Sequence, residues 1–366
     1  MRRQRGFSLV ELMVAIVLGL LLTGAVISVF IGSRTAYQQT SGVGEMSQNG
    51  RFALNLIGES VRSAGNLACN SSMTATSQTL LGINTLDSNF GQGVAGFEAV
   101  GTGPGAAIAL PAAPVVGAAN NWNPNLTDPD FIAAIGAGPL GLPVQGSDVL
   151  VVRSSMPRVA PLYTTVSLGP GAGVMSVTPL PPAPSPVMVA GQYAAIADCT
   201  KSVIFQVAAL ANGAPATVTL NGALPVGFSA GALVAPLTTT VYYIGTGSDG
   251  DSSLWRLEQL PGPNLPKFSA PEELVPDVEN MQVLYGIDAA GTQTAAAYVT
   301  ADLVGAINVV SIQVALLVAS PPGSRPIPAP PPFSLLGTPP AQLTVVGDTR
   351  SRQVFYATIN LRDAVN

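Results

Sequence analysis

The residue types that most often carry out catalysis or bind metals are sparse in this chain of 366 residues. It contains no histidine, which excludes catalytic triads with a histidine base and the usual histidine ligand sets of zinc and iron. Two cysteines and 20 acidic residues remain, and no pair of acids lies in a recognisable catalytic motif. We therefore predict that the chain is not an enzyme and holds no cofactor or metal ion.

One acidic residue occupies an unusual position. Glu11 follows a basic N-terminus that contains Arg2, Arg3 and Arg5, and residues 12–31 form an apolar run without a charge. As a helix, these twenty residues span roughly the 30 Å of a membrane's hydrocarbon core. A carboxylate in lipid costs about 2.5–3.5 kcal/mol, so Glu11 needs a partner. An ordinary signal peptide would have a cleavage site of small residues after the apolar run, and none follows.

Residues 6–15, GFSLVELMVA, resemble the prepilin motif of type IV pilins and of type II secretion pseudopilins. The resemblance implies that a prepilin peptidase cuts between Gly6 and Phe7 and that the new amino group of Phe7 is methylated. It also implies that Glu11 pairs with the N-terminal amine of a neighbouring subunit. Two charges that are each costly in lipid would then neutralise one another.

Beyond the apolar run, residues 33–62 contain no proline and predict a continuing amphipathic helix. Its apolar positions recur at steps of three, four and seven, which places them on one helix face: Val43, Met46, Ala53, Ile57 and Val61. We expect this face to pack on the rest of the chain and the opposite face to contact neighbouring subunits. Glycines at 42, 44, 50 and 58 lower the helix propensity and predict a bent or partly melted middle.

The remainder of the chain is typical of β structure with long loops, because it is rich in glycine, proline and short β-branched runs. Strands are predicted at residues 148–153, 203–207, 216–220, 239–244, 253–257, 281–287, 309–318 and 352–361. Residues 101–146 and 169–191 are predicted connections, and residues 321–340 a polyproline II segment. The predicted fold class is α+β and pilin-like: a leader (1–6), a transmembrane helix half (7–32), an amphipathic half (33–66) and a β-rich antiparallel head (67–366).

Several blocks of the head resemble the PilW family of minor pilins: residues 63–69, 146–150, 197–207, 241–244, 254–257, 273–288 and 355–362. The family implies a subunit that primes pilus assembly near the filament tip, and the presence of Glu11 implies a position just below the tip. The implied partners are other minor pilins, the major pilin, the prepilin peptidase, the inner-membrane assembly platform and a tip adhesin. The implied location is the inner membrane with a periplasmic head, and then the filament.

Two alternatives stay open at this level. Residues 273–288 also resemble the J-type pseudopilins of type II secretion, so that system is the first alternative. An exported enzyme on a membrane anchor is the second, and the absence of a catalytic pair argues against it. Whether the filament serves twitching, adhesion or DNA uptake is not decided by these residues.

An exported head would place Cys69 and Cys199 in an oxidising compartment, where two cysteines favour a disulfide. A Cys69–Cys199 bridge closes a loop of ~130 residues and removes about 4–5 kcal/mol of unfolded-chain entropy. The formal charge is −5 and the only lysines are Lys201 and Lys267. No binding to nucleic acid is expected from such an acidic chain.

The loop GTGSDG at residues 245–250 resembles two binding motifs. Its glycine spacing matches a dinucleotide-binding loop, but a strand follows instead of a helix, so we predict a hairpin. Asp249, Asp251 and Ser253 resemble the start of a calcium loop, whereas Leu260 stands where the closing acid belongs. A solvated turn is expected here, with calcium as the alternative.

Overall fold

The structure, a computed structural model, describes residues 8–71, 77–82, 85–106, 108, 111, 113–136, 140–156, 161–179, 188–198, 200–213, 215–262, 267–305, 307–324, 333–337 and 349–361. A helix of 54 residues, α1 (Leu9–Arg62), is followed by a β-rich head with a short second helix, α2 (Pro129–Ile135). This is the predicted α+β arrangement of one long N-terminal helix and an antiparallel β-rich domain.

Helix α1 begins after its N-cap residue Ser8 and is α-helical at every residue to Arg62. The expectation of a partly melted middle is therefore wrong. The helix ends before Gly65, whose φ of 78° is a left-handed conformation that glycine adopts without strain. In the described part of the chain, α1 is the one helix long and apolar enough to cross a membrane, and its most apolar window is not buried by the head.

The described head contains eighteen strands, which are numbered in chain order. They are β1 (Asn66–Leu67), β2 (Asn70–Ser71), β3 (Ser77–Thr79), β4 (Val94–Ala99), β5 (Trp122–Asn123), β6 (Val149–Ser155), β7 (Leu162–Thr164), β8 (Val174–Pro179), β9 (Tyr193–Ala197), β10 (Ser202–Ala211), β11 (Ala216–Leu220), β12 (Leu233–Thr246), β13 (Ser252–Glu258), β14 (Glu272–Pro276), β15 (Val278–Asp288), β16 (Ala297–Val299), β17 (Asn308–Ala319) and β18 (Arg352–Asn360).

All eight predicted strands are present, as β6, β10 to β13, β15, β17 and β18. Residues 101–146 and 169–191 were expected to be connections, and this is wrong because β5 and α2 lie in the first segment and β8 lies in the second. Most of the predicted polyproline II segment, residues 325–332 and 338–340, lies outside the described residues.

Two sheets make up most of the head. A twelve-stranded sheet follows the order β3-β10-β11-β8-β7-β12-β6-β4-β5, with β9, β13 and β14 pairing beside this path. A four-stranded antiparallel sheet has the order β16-β15-β17-β18. Strands β1 and β2 form a small separate hairpin directly after α1.

The main hydrophobic core lies where the last turns of α1 cover the four-stranded sheet. Buried side chains of α1, among them Met46, Ile57 and Val61, pack with Val314 and Ile359 of that sheet. A second core is formed around strands β7 to β11 and the start of β12. α1 also contacts the twelve-stranded sheet, because Leu150 and Tyr242 belong to the same core and the Tyr242 hydroxyl hydrogen-bonds to the Ser60 hydroxyl at 2.6 Å. The second core contains no residue of α1.

The two large sheets are joined at residues 146–148. The Asp148 carboxylate accepts the backbone N–H of Ala99 in β4 and of Val283 in β15, both at 2.8 Å. The Ser147 hydroxyl accepts the N–H of Met281 at 3.0 Å. Because these partners lie in different sheets, this short segment holds β4 and β15 side by side.

Candidate functional site

The start of α1 carries the acid that the sequence singled out. Ser8 and Glu11 form a capping box, in which the Glu11 N–H donates to Ser8 Oγ at 3.2 Å and the Ser8 N–H donates to Glu11 Oε2 at 3.1 Å. Glu11 is exposed, and its Oε1 has no hydrogen-bond partner among the described residues. The carboxylate is therefore oriented by its own helix and has capacity for a further donor.

The predicted processing site, Gly6 and Phe7, lies outside the described residues, so cleavage there stays a prediction. The pairing of Glu11 with a neighbour's amine also stays a prediction.

The first half of α1 presents an unbroken apolar surface. Its large apolar side chains from Leu9 to Ile31 are each more than half exposed, the least of them being Val14 and Ile27 at 52%. Soluble monomers rarely leave a contiguous apolar patch larger than a few hundred Å² in water. This half of the helix therefore requires lipid or other apolar helices around it.

The second half of α1 presents a buried face to the head. Seven residues are buried, and all but Gly58 are spaced at three and four positions: Gly42, Met46, Gly50, Ala53, Ile57 and Val61. Four of the five predicted apolar positions are among them, while Val43 is 45% exposed and its predicted burial is wrong. The prediction that one face packs on the head is confirmed.

Three of the buried positions are glycines, and the sequence reasoning missed the role of two of them, Gly42 and Gly50. A methyl group added at Gly50 would lie 2.6 Å from Cγ of Phe355 in β18, and one added at Gly42 would lie 2.7 Å from Cβ of Ser324. Gly44, in contrast, has nothing within 4 Å. Glycine therefore allows α1 to approach β18 closely at position 50 and the turn after β17 at position 42.

The opposite face of this half is exposed and carries aromatic and charged side chains. Tyr37 is 74% exposed and Phe52 is 51% exposed, and Arg51, Glu59 and Arg62 are exposed near them along the helix. Aromatic and arginine side chains are enriched at protein interfaces. That this face contacts neighbouring subunits stays a prediction.

The cysteines lie near the end of α1. Cys69 is half-buried in the turn between β1 and β2, and the adjacent Leu67 packs with Ala195 of β9 and Ile204 of β10. Cys199 belongs to the connection between those two strands but lies outside the described residues. The Cys69–Cys199 disulfide therefore stays a prediction.

The loop that resembles a nucleotide or calcium motif joins β12 and β13, which pair antiparallel from Thr246 opposite Ser252. The predicted hairpin is confirmed, and the segment after the loop is a strand. The calcium alternative is not supported by the position of Ser253, because its hydroxyl donates to Glu273 at 2.7 Å.

An acidic cluster does form beside this loop. Carboxylate oxygens of Asp249, Asp251 and Asp277 lie within 4.8 Å of one another. Arg350 enters the cluster, and its Nη2 lies 2.7 Å from Asp251 and 2.9 Å from Asp277. Burial raises the pKa of Asp277 to about 6, although the charge of Arg350 acts against this. The Arg350 guanidinium thus supplies the positive charge between Asp251 and Asp277 that a metal ion would otherwise provide.

A second group of acids surrounds the joint between the sheets, and the sequence reasoning did not identify it. Burial, reinforced by the charges of Asp148 and Asp302, raises the pKa of Glu98 to about 8. Burial also raises the pKa of Asp148, while its bonds from Ala99 and Val283 act in the opposite direction. The raised pKa of Glu98 favours its protonated form at neutral pH, which limits the repulsion inside the joint.

Two known families match the chain, one at its N-terminus and one in its C-terminal third. Residues 1–27 match the prokaryotic N-terminal methylation motif, and residues 241–363 match the family described as type IV pilus-assembly protein W, PilW. The two matches support a type IV pilus minor pilin of the PilW family. No curated protein shows a significant match to the chain.

The PilW match runs from within β12 past the end of β18. It therefore includes the whole four-stranded sheet on which α1 packs. The methylation motif includes Glu11 and most of the exposed apolar half of α1. PilW proteins are structural components of the pilus. The two matched regions contain the first part of α1 and the four-stranded sheet on which α1 packs.

Proposed function

We propose that this PilW-type minor pilin helps to prime type IV pilus assembly and occupies a position at or just below the filament tip. Before assembly, the apolar half of α1 anchors it in the inner membrane with the head in the periplasm. The same helix then carries it into the filament among other minor pilins and the major pilin. The prepilin peptidase, the inner-membrane assembly platform and a tip adhesin are its further proposed partners.

The observation that carries this proposal is the division of α1 into two halves. Its first half is exposed and apolar with one acid at the start, and its second half is held by the head. A single-pass anchor needs the first property, and a filament subunit needs both. The exposed half can leave lipid only if it enters an equally apolar bundle of helices.

Glu11 is proposed to neutralise the N-terminal amine of a neighbouring subunit in that bundle. The capping box orients the Glu11 carboxylate and leaves Oε1 available for the amine. Removing one partner of a buried ion pair leaves the other charge uncompensated and costs about 3–5 kcal/mol. Only a subunit in the correct register avoids this cost, so the pair favours ordered insertion.

A Glu11→Val variant tests the pairing. We expect normal amounts of the variant in membranes, because the head and its contacts with α1 are unchanged. Its amount in sheared filaments should fall at least about tenfold, since the cost of an unpaired amine exceeds 1.4 kcal/mol. Glu45→Val is the matched control, because Glu45 is an exposed acid of the same helix beyond the apolar run. Equal filament amounts for both variants would refute the pairing.

Maturation is tested by the intact mass of the membrane-extracted protein. We expect a mature chain that starts at Phe7 and carries one added methyl group. A Gly6→Val variant should keep the leader, because a branched side chain obstructs the cut. A wild-type product that starts within or after residues 12–31 would indicate an ordinary signal peptidase and contradict the pilin assignment.

A further inference from the structure

From Gln353 to Asn360, the outer edge of β18 is a long strand edge that pairs with no other strand in the described part of the chain. Among the described residues, β18 pairs with β17 on one side and with no strand on the other. Its register with β17 is regular from Arg352 opposite Ala319 to Asn360 opposite Ser311, without a bulge.

The hydrogen bonds at the two ends of β18 show which residues point outward. The Leu361 N–H donates to Val310 O at 3.0 Å, and Ser351 O accepts the Ser320 N–H at 2.8 Å. In a regular antiparallel pair, alternate residues bond to the same neighbour. The odd-numbered residues from 351 to 361 therefore face β17, and the even-numbered residues face the outer edge.

The outward-facing backbone groups thus belong to Val354, Tyr356 and Thr358, with Arg352 and Asn360 at the ends. The N–H and C=O groups of Val354, Tyr356 and Thr358 have no hydrogen-bond partner within the described residues. Such a row of groups is a template for another strand.

The other sheet edges of the described head are short or protected. β3, β5 and β16 have three, two and three residues. β14 has five residues and carries Glu272, Glu273 and Pro276, which are residue types that discourage strand pairing. β18 has nine residues and, from Gln353 to Asn360, neither a charged residue nor a proline. The protection used on the other edges is absent from this one.

β18 is also fixed by contacts with α1 and β15. Phe355 packs against Gly50 of α1 on one face of the strand. At its start, Arg352 Nε and Nη2 donate to the two Glu279 oxygens at 2.6 and 2.7 Å. On the edge itself, Tyr356 is 76% exposed. The edge is therefore a rigid surface that presents an aromatic side chain to a partner.

We propose that the outer edge of β18 receives an uncharged, extended strand from the head of a neighbouring pilus subunit, which becomes a fifth strand of the sheet. This rests on the proposed function, because the filament supplies the neighbour. Phe355 of β18 contacts Gly50 of α1, so this edge lies next to the helix that, in the proposed filament, packs against other subunits. A neutral partner strand matches an edge that has no charge to pair with, and it gains backbone bonds on binding.

Photo-cross-linking of the full chain in pilus-producing cells tests this proposal. Benzoylphenylalanine replaces Tyr356, and in a control it replaces Val174, which is 52% exposed on β8. Adducts in sheared filaments are identified by mass spectrometry. We expect the position 356 adduct to join another pilus subunit within a neutral strand of its head, and the position 174 probe to give no such adduct.

A substitution in the same strand tests whether the outward-facing backbone groups are needed for the contact. Thr358→Pro removes an outward N–H and leaves the ladder with β17 intact, because proline is tolerated at the free side of an edge strand. We expect the adduct at position 356 to fall about tenfold or more, with Thr358→Val as the control that keeps the N–H. Should Thr358→Pro reduce the melting temperature strongly, Thr358→Lys, which adds a charge to the exposed edge, takes its place with the same expected loss.

The outcomes separate this proposal from the proposed function. Wild-type protein absent from filaments would overturn the proposed function. Protein present in filaments without an adduct at position 356, or with an adduct that Thr358→Pro does not reduce, would overturn the edge proposal alone. An adduct to a second copy of this chain or to its own residues would also overturn it.

Discussion

Gly50→Ala directly tests the close approach between α1 and the four-stranded sheet. The added methyl group would lie 2.6 Å from Cγ of Phe355, whereas carbon atoms in contact prefer about 3.5–4.0 Å. The ring or the helix must therefore move by roughly 1 Å. Such overpacking costs about 1–3 kcal/mol. Replacing glycine by alanine within a helix returns up to about 1 kcal/mol, so we expect a net loss of about 0–2 kcal/mol.

Gly44→Ala is the matched control for the helix propensity. Gly44 is exposed and has nothing within 4 Å of the added carbon, so this variant should gain up to about 1 kcal/mol. The two variants should thus differ by about 1–3 kcal/mol in the free energy of unfolding.

The measurement is urea unfolding of the full chain in a mild detergent, followed by tryptophan fluorescence. Trp122 and Trp255 are both buried and report on the head. A Phe355→Leu background should remove most of the penalty at Gly50, which gives a coupling energy of about 1–3 kcal/mol in a double-mutant cycle. Equal effects of the alanine at Gly50 and Gly44, or a coupling near zero, would refute the contact as the reason for the glycine.

Two further outcomes are expected. If the predicted disulfide forms, Cys199→Ser should lower the free energy of unfolding by about 2–5 kcal/mol and expose the chain between the cysteines to proteolysis; two free thiols in a non-reducing peptide map would exclude the bridge. Because the pKa of Glu98 is raised to about 8, the unfolded state loses this proton first, so Glu98 should leave stability unchanged below about pH 4.5 and lower it progressively up to about pH 8, by at most about 1.4 kcal/mol per pH unit. Glu98→Gln should flatten this dependence in melting temperatures, and an unchanged slope would contradict the assignment.

Much of the fold could be predicted because the relevant signals are local. The apolar run with Glu11 at its start needs only the order of residue types, and α1 follows from it. Strands such as β11 and β17 were predicted because β-branched and apolar residues cluster within them. β8 was missed because its residues lie in a stretch whose overall composition resembles a loop.

The face of α1 was predicted only in part, and the reason is physical. Hydrophobic periodicity counts apolar side chains, so it placed Val43 in the interface and treated Gly42 and Gly50 as weak points of the helix. In the structure, the closest approach needs positions where a side chain is absent. Which glycines serve this purpose depends on where Phe355 and Ser324 are brought, some three hundred residues later in the chain.

The sequence alone determines that this chain has a membrane-length apolar helix with an acid at its start, a β-rich acidic head and no histidine-based chemistry. These properties depend on composition and short-range order. Only the tertiary structure decides that Arg350 enters the acidic cluster at Asp251 and Asp277, that Asp148 joins two sheets, and that the outer edge of β18 from Gln353 onward pairs with no strand among the described residues. Each of these depends on strands that meet across long separations in the chain, and pairing of that kind is set by the packing of the whole head.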